Sequence, residues 1–218
     1  MRGAKAMDYP VCLRLEDRPV LVVGGGPIAE GRVLALLDAG ARVRLVSPEA
    51  TIVLRQLAKA ERLEWVRRRW IPGDTRGYTL VLTAVDDPRV SQAVADEARA
   101  LGIWLNTADE PAACDFTLPS VGRRGAITVA VSSTGQSPAL AAALRRELMT
   151  QVTDHHVRIT RLSGWLRRRL PRGLTRQRLL KLLVDGDIGA LLAQGQRRAA
   201  WARVREELND REARRQTT

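Results

Sequence analysis

The sequence predicts an α/β fold in which a parallel sheet is followed by a small segment of two strands and a helix, and then by a C-terminal helical domain. Three observations support this prediction. Short apolar runs alternate with helical patterns between residues 19 and 106, which is typical of βαβ units. A run of three glycines joins the first apolar run to the first helix, and the alternation ends after Asp109.

The first half of the chain supplies the predicted sheet. The run VLVV at 20–23 is short and continuously apolar, as expected of a parallel strand that is buried on both faces. A helix is predicted from Pro27, with Gly40 just past its end. Further strands are expected at 42–46, 63–67, 79–84 and 103–106, and further helices near 50–60 and at 88–101.

The pattern changes in the second half. Residues 115–133 contain two β-like runs around a Gly-Arg-Arg-Gly turn, and Ser137 and Pro138 are placed as the N-cap and first residue of a helix. Beyond residue 150 every pattern is helical. We therefore expect domains at 7–114, 115–150 and 151–218, preceded by a disordered extension at 1–6.

Composition indicates a soluble cytoplasmic protein. No apolar run approaches the roughly 20 residues that span a bilayer, and no signal peptide is recognisable at the N-terminus. Cys12 and Cys114 are too few for a disulfide framework, and we expect both to be small buried side chains in a reducing compartment.

The positive charge is concentrated in the last part of the chain. The net charge is +12, and residues 151–218 hold 16 Lys and Arg against 7 Asp and Glu, while the first 150 residues hold 20 against 17. A basic surface attracts polyanions, whether nucleic acid, anionic lipid or an acidic small molecule. An arginine-rich solvated helical surface is the plain alternative, and the two remain open.

The glycine run carries the first functional signal. Gly24, Gly26 and Ala29 fit the pattern G-x-G-x-x-G/A of Rossmann-type dinucleotide-binding domains, and the pattern follows a strand and opens a helix as the mechanism requires. The helix N-terminus would then face a pyrophosphate. A tight turn without a ligand is the alternative.

The nucleotide is expected to be NAD. An acidic residue at the tip of the second strand usually holds the ribose 2′-OH. Ser47 occupies the tip here and is followed by Pro48 and Glu49, and Glu49 could reach the ribose. No arginine follows the tip to bind a 2′-phosphate, so NAD is favoured over NADP.

Four motifs resemble the precorrin-2 dehydrogenase family, which includes the N-terminal part of bacterial siroheme synthase. They are YPVCLRLEDRPVLVVGGGPIA near the start, TAVDDPRVSQAV at 83–94, LNTADEPAACDFTLPS at 105–120 and AVSSTGQSPALAAALRREL at 130–148. The resemblance covers roughly residues 7–150. It implies NAD-dependent oxidation of precorrin-2 to sirohydrochlorin by a homodimer, whose 115–150 segments dimerise and whose cleft binds the polyanionic tetrapyrrole. Some family members also insert ferrous iron, an activity that these residues do not decide.

The resemblance assigns roles residue by residue. The family's catalytic aspartate falls on Asp109, and a functional serine of its SSGG-type loop falls on Ser133, although TGQS here departs from the commoner GGxS. Thr134 and Ser137 of the same loop are further candidates for substrate binding. The cofactor contacts fall on Gly24, Gly25, Gly26, Pro27, Ile28, Pro48, Glu49, Thr83 and Ala84.

Physical reasoning about these residues is independent of the family. Asp109 follows a strand that ends at the carboxyl edge of the sheet, where ligands bind in open α/β folds, and a carboxylate there can accept a proton during dehydrogenation. The alternative is a loop aspartate that caps the next turn. We interpret Asp115 as structural, and His155 and His156 as packing or surface residues, so no metal ligands are predicted.

The serine-rich loop SSTGQSP offers hydroxyls and N–H groups to an anion, and four arginines flank it. Capping by Ser137 alone is the alternative. The arginines are Arg123, Arg124, Arg145 and Arg146.

Two other functions share some of these features. An NAD-sensing regulator would bind nucleic acid through the basic tail, but the hydrophobic packing pattern of RQRLLKLLVDGDIGALL makes nucleic acid an unexpected partner. A generic NAD(P) dehydrogenase would share the glycine run without the aspartate and serine motifs.

Overall fold

A computed structural model of the chain describes residues 7–215, with side chains up to residue 208. The chain divides into two compact units, one ending at Leu118 and the other beginning at Pro119. The extension predicted at 1–6 lies outside the described residues. The functional division at residues 114 and 150 stays a prediction.

The first unit is a five-stranded parallel sheet in the order β3-β2-β1-β4-β5, so the predicted Rossmann-type α/β fold is confirmed. Its elements begin and end within about two residues of the sequence-based expectation. They are β1 Pro19–Val23, α1 Pro27–Asp38, β2 Arg42–Val46, α2 Ile52–Lys59, β3 Glu64–Val66, β4 Leu80–Thr83, α3 Pro88–Leu101, β5 Trp104–Thr107 and a 3₁₀ turn at Pro111–Ala113.

Both faces of the sheet are covered at its centre, where every residue of β4 and all but the first residue of β1 are buried. Side chains alternate between the faces. Val22 and Leu45 point to a core shared with α1 and α2, whereas Leu21 and Val81 point to a core shared with α3. The chain leaves β1 toward β2 and returns through β3 to β4, so the order reverses beside β1, which is where ligands bind in such sheets.

The second unit begins with an antiparallel hairpin covered by a helix. Its elements are β6 Ser120–Arg124, β7 Ile127–Val131, α4 Pro138–Gln151, α5 Asp154–Arg169, α6 Leu174–Asp185, α7 Asp187–Ala193 and α8 Arg197–Arg215. The turn is shorter than the predicted Gly-Arg-Arg-Gly turn. Gly125 takes a φ of 59°, so two residues suffice to reverse the chain, and Arg123 and Arg124 lie in β6.

The remaining helices enclose a separate apolar core. Leu166, Leu179, Leu183 and Ile188 are fully buried there. Glu207 of α8 is buried between two arginines, with Arg178 Nε at 3.1 Å and Arg203 Nη2 at 2.9 Å from its carboxylate oxygens.

Arg203 also binds Asp187 at 2.7 Å and Glu206 at 2.8 Å. Some of the arginines of this unit therefore stabilise its packing by neutralising buried or neighbouring carboxylates.

The prediction that both cysteines are buried is wrong. Cys12 is exposed because it lies in the irregular segment that precedes β1, and Cys114 is only half-buried, with its sulfur accepting a hydrogen bond from Thr107 N at 3.2 Å. None of the helices in the described part of the chain has the length and apolar character needed to cross a membrane. Within residues 7–208, no three His, Cys, Asp or Glu side chains are grouped to hold a metal ion.

Candidate active site

The first two glycines of the run are required by the protein's own backbone. Gly24 has a φ of 109°, and a Cβ atom there would lie 2.0 Å from Ala84 O. A Cβ atom on Gly25 would lie 2.0 Å from Glu49 O. The loop between β1 and α1 therefore approaches the segments that follow β4 and β2 so closely that only glycine fits at these two positions.

Gly26 is different because the space beside it is open. A Cβ atom on Gly26 would have no protein atom within 4 Å, and the residue is the N-cap of α1. No described side chain caps this helix, so its first N–H groups face the open space. A helix N-terminus with free N–H groups and room beside it fits a pyrophosphate, which is the group that the glycine pattern implies.

A cavity of about 650 Å³ extends from this loop along the carboxyl edge of the sheet. Its volume is that of a small-molecule or cofactor site. Thr83 does not line it, since its side chain is buried with Oγ1 at 3.4 Å from Ser91 Oγ. The predicted residues that line it are Gly24, Gly25, Gly26, Pro27, Ile28, Pro48, Glu49, Ala84 and Asp109.

Arg69 and Trp70 also line the cavity, and the sequence reasoning missed both. They follow β3, which pairs in parallel with β2, so the ends of these strands meet at one edge beside Ser47 and Glu49. The indole Nε1 of Trp70 is buried without a hydrogen-bond partner among the described residues. The sequence signal that could have found them is their position, three and four residues after the end of β3.

Asp109 lies two residues beyond β5, exposed and at the edge of the cavity. The turn that follows is capped by Thr107 instead, whose Oγ1 accepts from Glu110 N at 2.9 Å and donates to Glu110 O at 3.1 Å. The alternative role of Asp109 as the turn's cap is therefore wrong. Asp115 is structural as predicted, since its Oδ2 accepts from Leu105 N at 2.8 Å.

Arg32 is a further residue that the sequence reasoning missed. It is half-buried on α1, and its guanidinium donates to the carbonyl oxygens of Thr83 and Asn106, the latter at 3.5 Å. Burial lowers the pKa of Arg32, and the nearby Cys114 and Asp109 oppose that effect. The sequence signal that could have identified Arg32 is its charge, because it stands between Ala29 and Val33, two buried positions of an otherwise largely apolar helix.

The predicted substrate-binding residues lie in the second unit, so the structure does not group them with the cavity of the first. Ser133 Oγ accepts from Ser137 N at 2.9 Å, and Ser137 Oγ caps α4 by accepting from Leu140 N at 3.3 Å. Thr134 has a φ of 53°, in the left-handed region. The loop is thus held by its own hydrogen bonds, with the two serine hydroxyls acting as acceptors and still able to donate.

Flanking arginines make contacts within the unit. Arg124 Nη2 lies 3.0 Å from Asp154 Oδ1, and Arg145 Nε donates to Ser120 Oγ at 3.2 Å. Arg146 is exposed on α4. His156 completes a capping box with Thr153 at the start of α5, in keeping with the interpretation that the histidines are packing or surface residues.

The chain is similar to known protein families, curated relatives and a solved structure. Residues 11–120 match the family described as "Putative NAD(P)-binding", and residues 124–150 match "Sirohaem biosynthesis protein central". Siroheme synthase 1 of Aeromonas salmonicida is 36% identical over 200 residues, which are 89% of this chain and 43% of that protein. Siroheme synthase of Methylococcus capsulatus is 36% identical over 194 residues, 87% of this chain and 41% of that protein.

The chain therefore spans less than half the length of these curated relatives. Among solved structures, "SirC, precorrin-2 dehydrogenase" matches with a TM-score of 0.75 at 24% identity, over 91% of this chain and 100% of that chain. At that identity the match shows that the two chains share a fold.

Proposed function

We propose that this chain, which belongs to the NAD(P)-binding family, is a dehydrogenase that oxidises precorrin-2 to sirohydrochlorin with NAD as its cofactor. The observation that carries the proposal is Asp109. Its carboxylate has no hydrogen-bonding role in its own turn and lines the cavity that begins at the glycine loop and the N-terminus of α1. The relatives named siroheme synthase support the choice of substrate.

The residues present fit the cofactor. The open space at Gly26 and the first N–H groups of α1 would hold the pyrophosphate, and Glu49 would hold the adenosine ribose. When bound, NAD⁺ supplies the acceptor for the hydrogen that leaves the substrate with its electron pair. Asp109 in its ionised form accepts the second hydrogen as a proton, which balances the two-electron oxidation.

The substrate class follows from the resemblance and from charge. A tetrapyrrole with several carboxylates is a polyanion, and a chain of net charge +12 attracts it. The hydroxyls of Ser133, Thr134 and Ser137 are suited to donate to such carboxylates. This assignment is supported by the match of residues 124–150 to the sirohaem-biosynthesis central family.

We also propose that the chain forms a homodimer through α4 and the hairpin. Leu140, Leu144 and Leu148 recur every fourth residue on α4 and are 54%, 40% and 47% exposed, and Val121 of β6 is 41% exposed. An isologous dimer would bury the same stripe from both copies. Sedimentation of Leu144→Glu should then show monomers where the wild type shows dimers, and equal sedimentation coefficients would contradict this interface.

The test of the enzymatic proposal is anaerobic turnover of precorrin-2 with NAD⁺, followed by the absorbance of NADH. Asp109→Asn should lower kcat by about 10²-fold or more, the range that a lost general base produces, while NAD⁺ binding is unchanged. Asp96→Asn is the matched control, because Asp96 is an exposed carboxylate on α3 that binds Gln92 and Arg99 and does not line the cavity. It should keep kcat within about twofold.

Three results are informative. Loss of turnover in Asp109→Asn alone supports both the reaction and the role of Asp109. Equal turnover in all three proteins overturns the role of Asp109. If the wild type binds NAD⁺ without oxidising precorrin-2, the dehydrogenase proposal fails and the sensing function becomes the next candidate.

A further inference from the structure

Arg32 joins three elements at the edge of the sheet where Asp109 lies. It projects from α1, donates to Thr83 O at the end of β4, and donates to Asn106 O near the end of β5. Asp109 follows β5 by two residues. The Arg32 side chain therefore links α1, whose N-terminus lines the cavity, to the strand that leads to Asp109.

The hydrogen bond from Arg32 to Thr83 O is not needed to give that carbonyl oxygen a partner. Thr83 O already accepts a hydrogen bond from Ala108 N at 3.0 Å. A guanidinium in a half-buried position loses solvation, and burial indeed lowers the pKa of Arg32. An apolar side chain of similar length would fill the same space without this desolvation penalty. The presence of arginine here therefore indicates that its charge or its hydrogen bonds have a function at the site.

Neighbouring groups at the site offset part of this loss of solvation. Cys114 and, to a smaller extent, Asp109 counteract the effect of burial on the pKa of Arg32, so Arg32 and Asp109 attract each other. Coulomb attraction is mutual, so a guanidinium held in place also restrains where the Asp109 carboxylate lies. The hydrogen bonds to β4 and β5 fix the guanidinium, and thereby fix the direction of this attraction.

We infer that Arg32 is a positioning residue, which holds the ends of β4 and β5 together and thereby keeps Asp109, two residues beyond β5, at the edge of the cavity. The inference rests on the proposed function. It assigns to a residue of α1 the role of positioning Asp109 for proton transfer. Arg32 acts through Asp109 and does not itself take part in proton transfer.

The experiment compares Arg32→Met and Arg32→Lys with the wild type in the precorrin-2 assay. Arg32→Met should lower kcat by roughly 10- to 100-fold, because a displaced reacting group loses about that much, while the Kd for NAD⁺ stays within about threefold. Arg32→Lys retains the charge and a donor and should restore most of kcat.

Arg42→Met is the matched control. Arg42 also donates from its guanidinium to a main-chain carbonyl, Asp17 O at 2.9 Å, but it lies at the start of β2, away from the cavity. It should leave kcat within about twofold. A kcat for Arg32→Met within twofold of wild type, or Arg32→Lys as slow as Arg32→Met, would overturn the inference.

A second measurement separates this inference from the proposed function. Hydrogen exchange of residues 106–113 does not depend on turnover, and Arg32→Met should accelerate it about tenfold or more while Arg42→Met does not. If the wild type fails to oxidise precorrin-2, the proposed function is lost, and unchanged exchange in Arg32→Met then overturns the positioning role as well. Accelerated exchange confined to this segment supports it whatever the substrate is.

Discussion

Replacing Gly26 by alanine should weaken nucleotide binding without unfolding the protein. Gly26 has a φ of −79° and a ψ of −174°, which any residue adopts, and a Cβ atom would meet no protein atom within 4 Å. Alanine reduces the entropy of the unfolded chain by about 0.4–1 kcal/mol and is a poorer N-cap by a similar amount. The two effects nearly cancel, so we expect Tm to change by less than about 4 °C.

The same methyl group would enter the space assigned to the pyrophosphate. Losing one charge-assisted hydrogen bond from the N-terminus of α1 costs about 1.5–3 kcal/mol, which raises the Kd for NAD⁺ by roughly 10- to 150-fold. Calorimetric titration with NAD⁺ measures this directly. Wild-type affinity in Gly26→Ala would refute the reasoning, because the phosphates could then not lie beside this residue.

Gly25→Ala is the contrasting variant. Its Cβ atom would lie 2.0 Å from Glu49 O and 3.0 Å from Ala50 Cα, so main chain must move. We expect a loss of about 1–3 kcal/mol or more in the free energy of unfolding, together with weaker NAD⁺ binding. Thermal unfolding of both variants distinguishes a glycine that the fold requires from a glycine that the ligand requires.

Three further outcomes are expected. Glu49→Gln should raise the ratio of kcat/KM for NADP⁺ over NAD⁺, because a carboxylate repels a 2′-phosphate, and Arg69→Gln should lower that ratio; ratios equal to wild type would remove both residues from the ribose subsite. Hydrogen bonds of 2.6 and 2.7 Å from Arg68 hold the pKa of Asp74 below its usual range. Asp74→Asn should therefore destabilise the protein at neutral pH, and the difference should vanish as the pH falls through the lowered pKa, below about pH 4; a pH-independent difference in urea unfolding would contradict this. Ser137→Ala should lower the free energy of unfolding by about 1 kcal/mol through the lost cap of α4, whereas Ser137→Asn should restore it.

The local pattern was sufficient to predict the sheet, because β1 and β4 contain continuous apolar runs, strands alternate with helical patterns, and α1 and α3 have recognisable starts. Pro27 and Pro88 stand at the first turns of α1 and α3, and Gly40 and Gly102 follow their ends. The glycine loop and Asp109 could be placed at one edge for the same reason. Parallel strands present their carboxyl ends together.

Contacts between distant segments could not be predicted from that pattern. Arg69 lines the cavity because β3 pairs with β2, and Arg32 reaches β4 and β5 because α1 packs across the sheet. The glycine pattern does not explain why residue 25 is glycine. The structure does, because Glu49 O, in another loop, lies where a Cβ atom on residue 25 would be. The exposure of Cys12 depends on a segment without any periodicity, where pattern gives no signal of burial.

The left-handed torsion at Thr134 changes how the serine loop should be compared with its relatives. In the resemblance, this position corresponds to the first glycine of GGxS, and scoring by amino-acid identity counts it as a mismatch. With a φ of 53° the backbone nevertheless adopts the conformation that glycine favours. The strain of roughly 1–2 kcal/mol for a residue with a Cβ atom is partly offset, because threonine leaves the unfolded chain less freedom than glycine. Homologous loops of this type are thus better found by their torsion angles than by their letters.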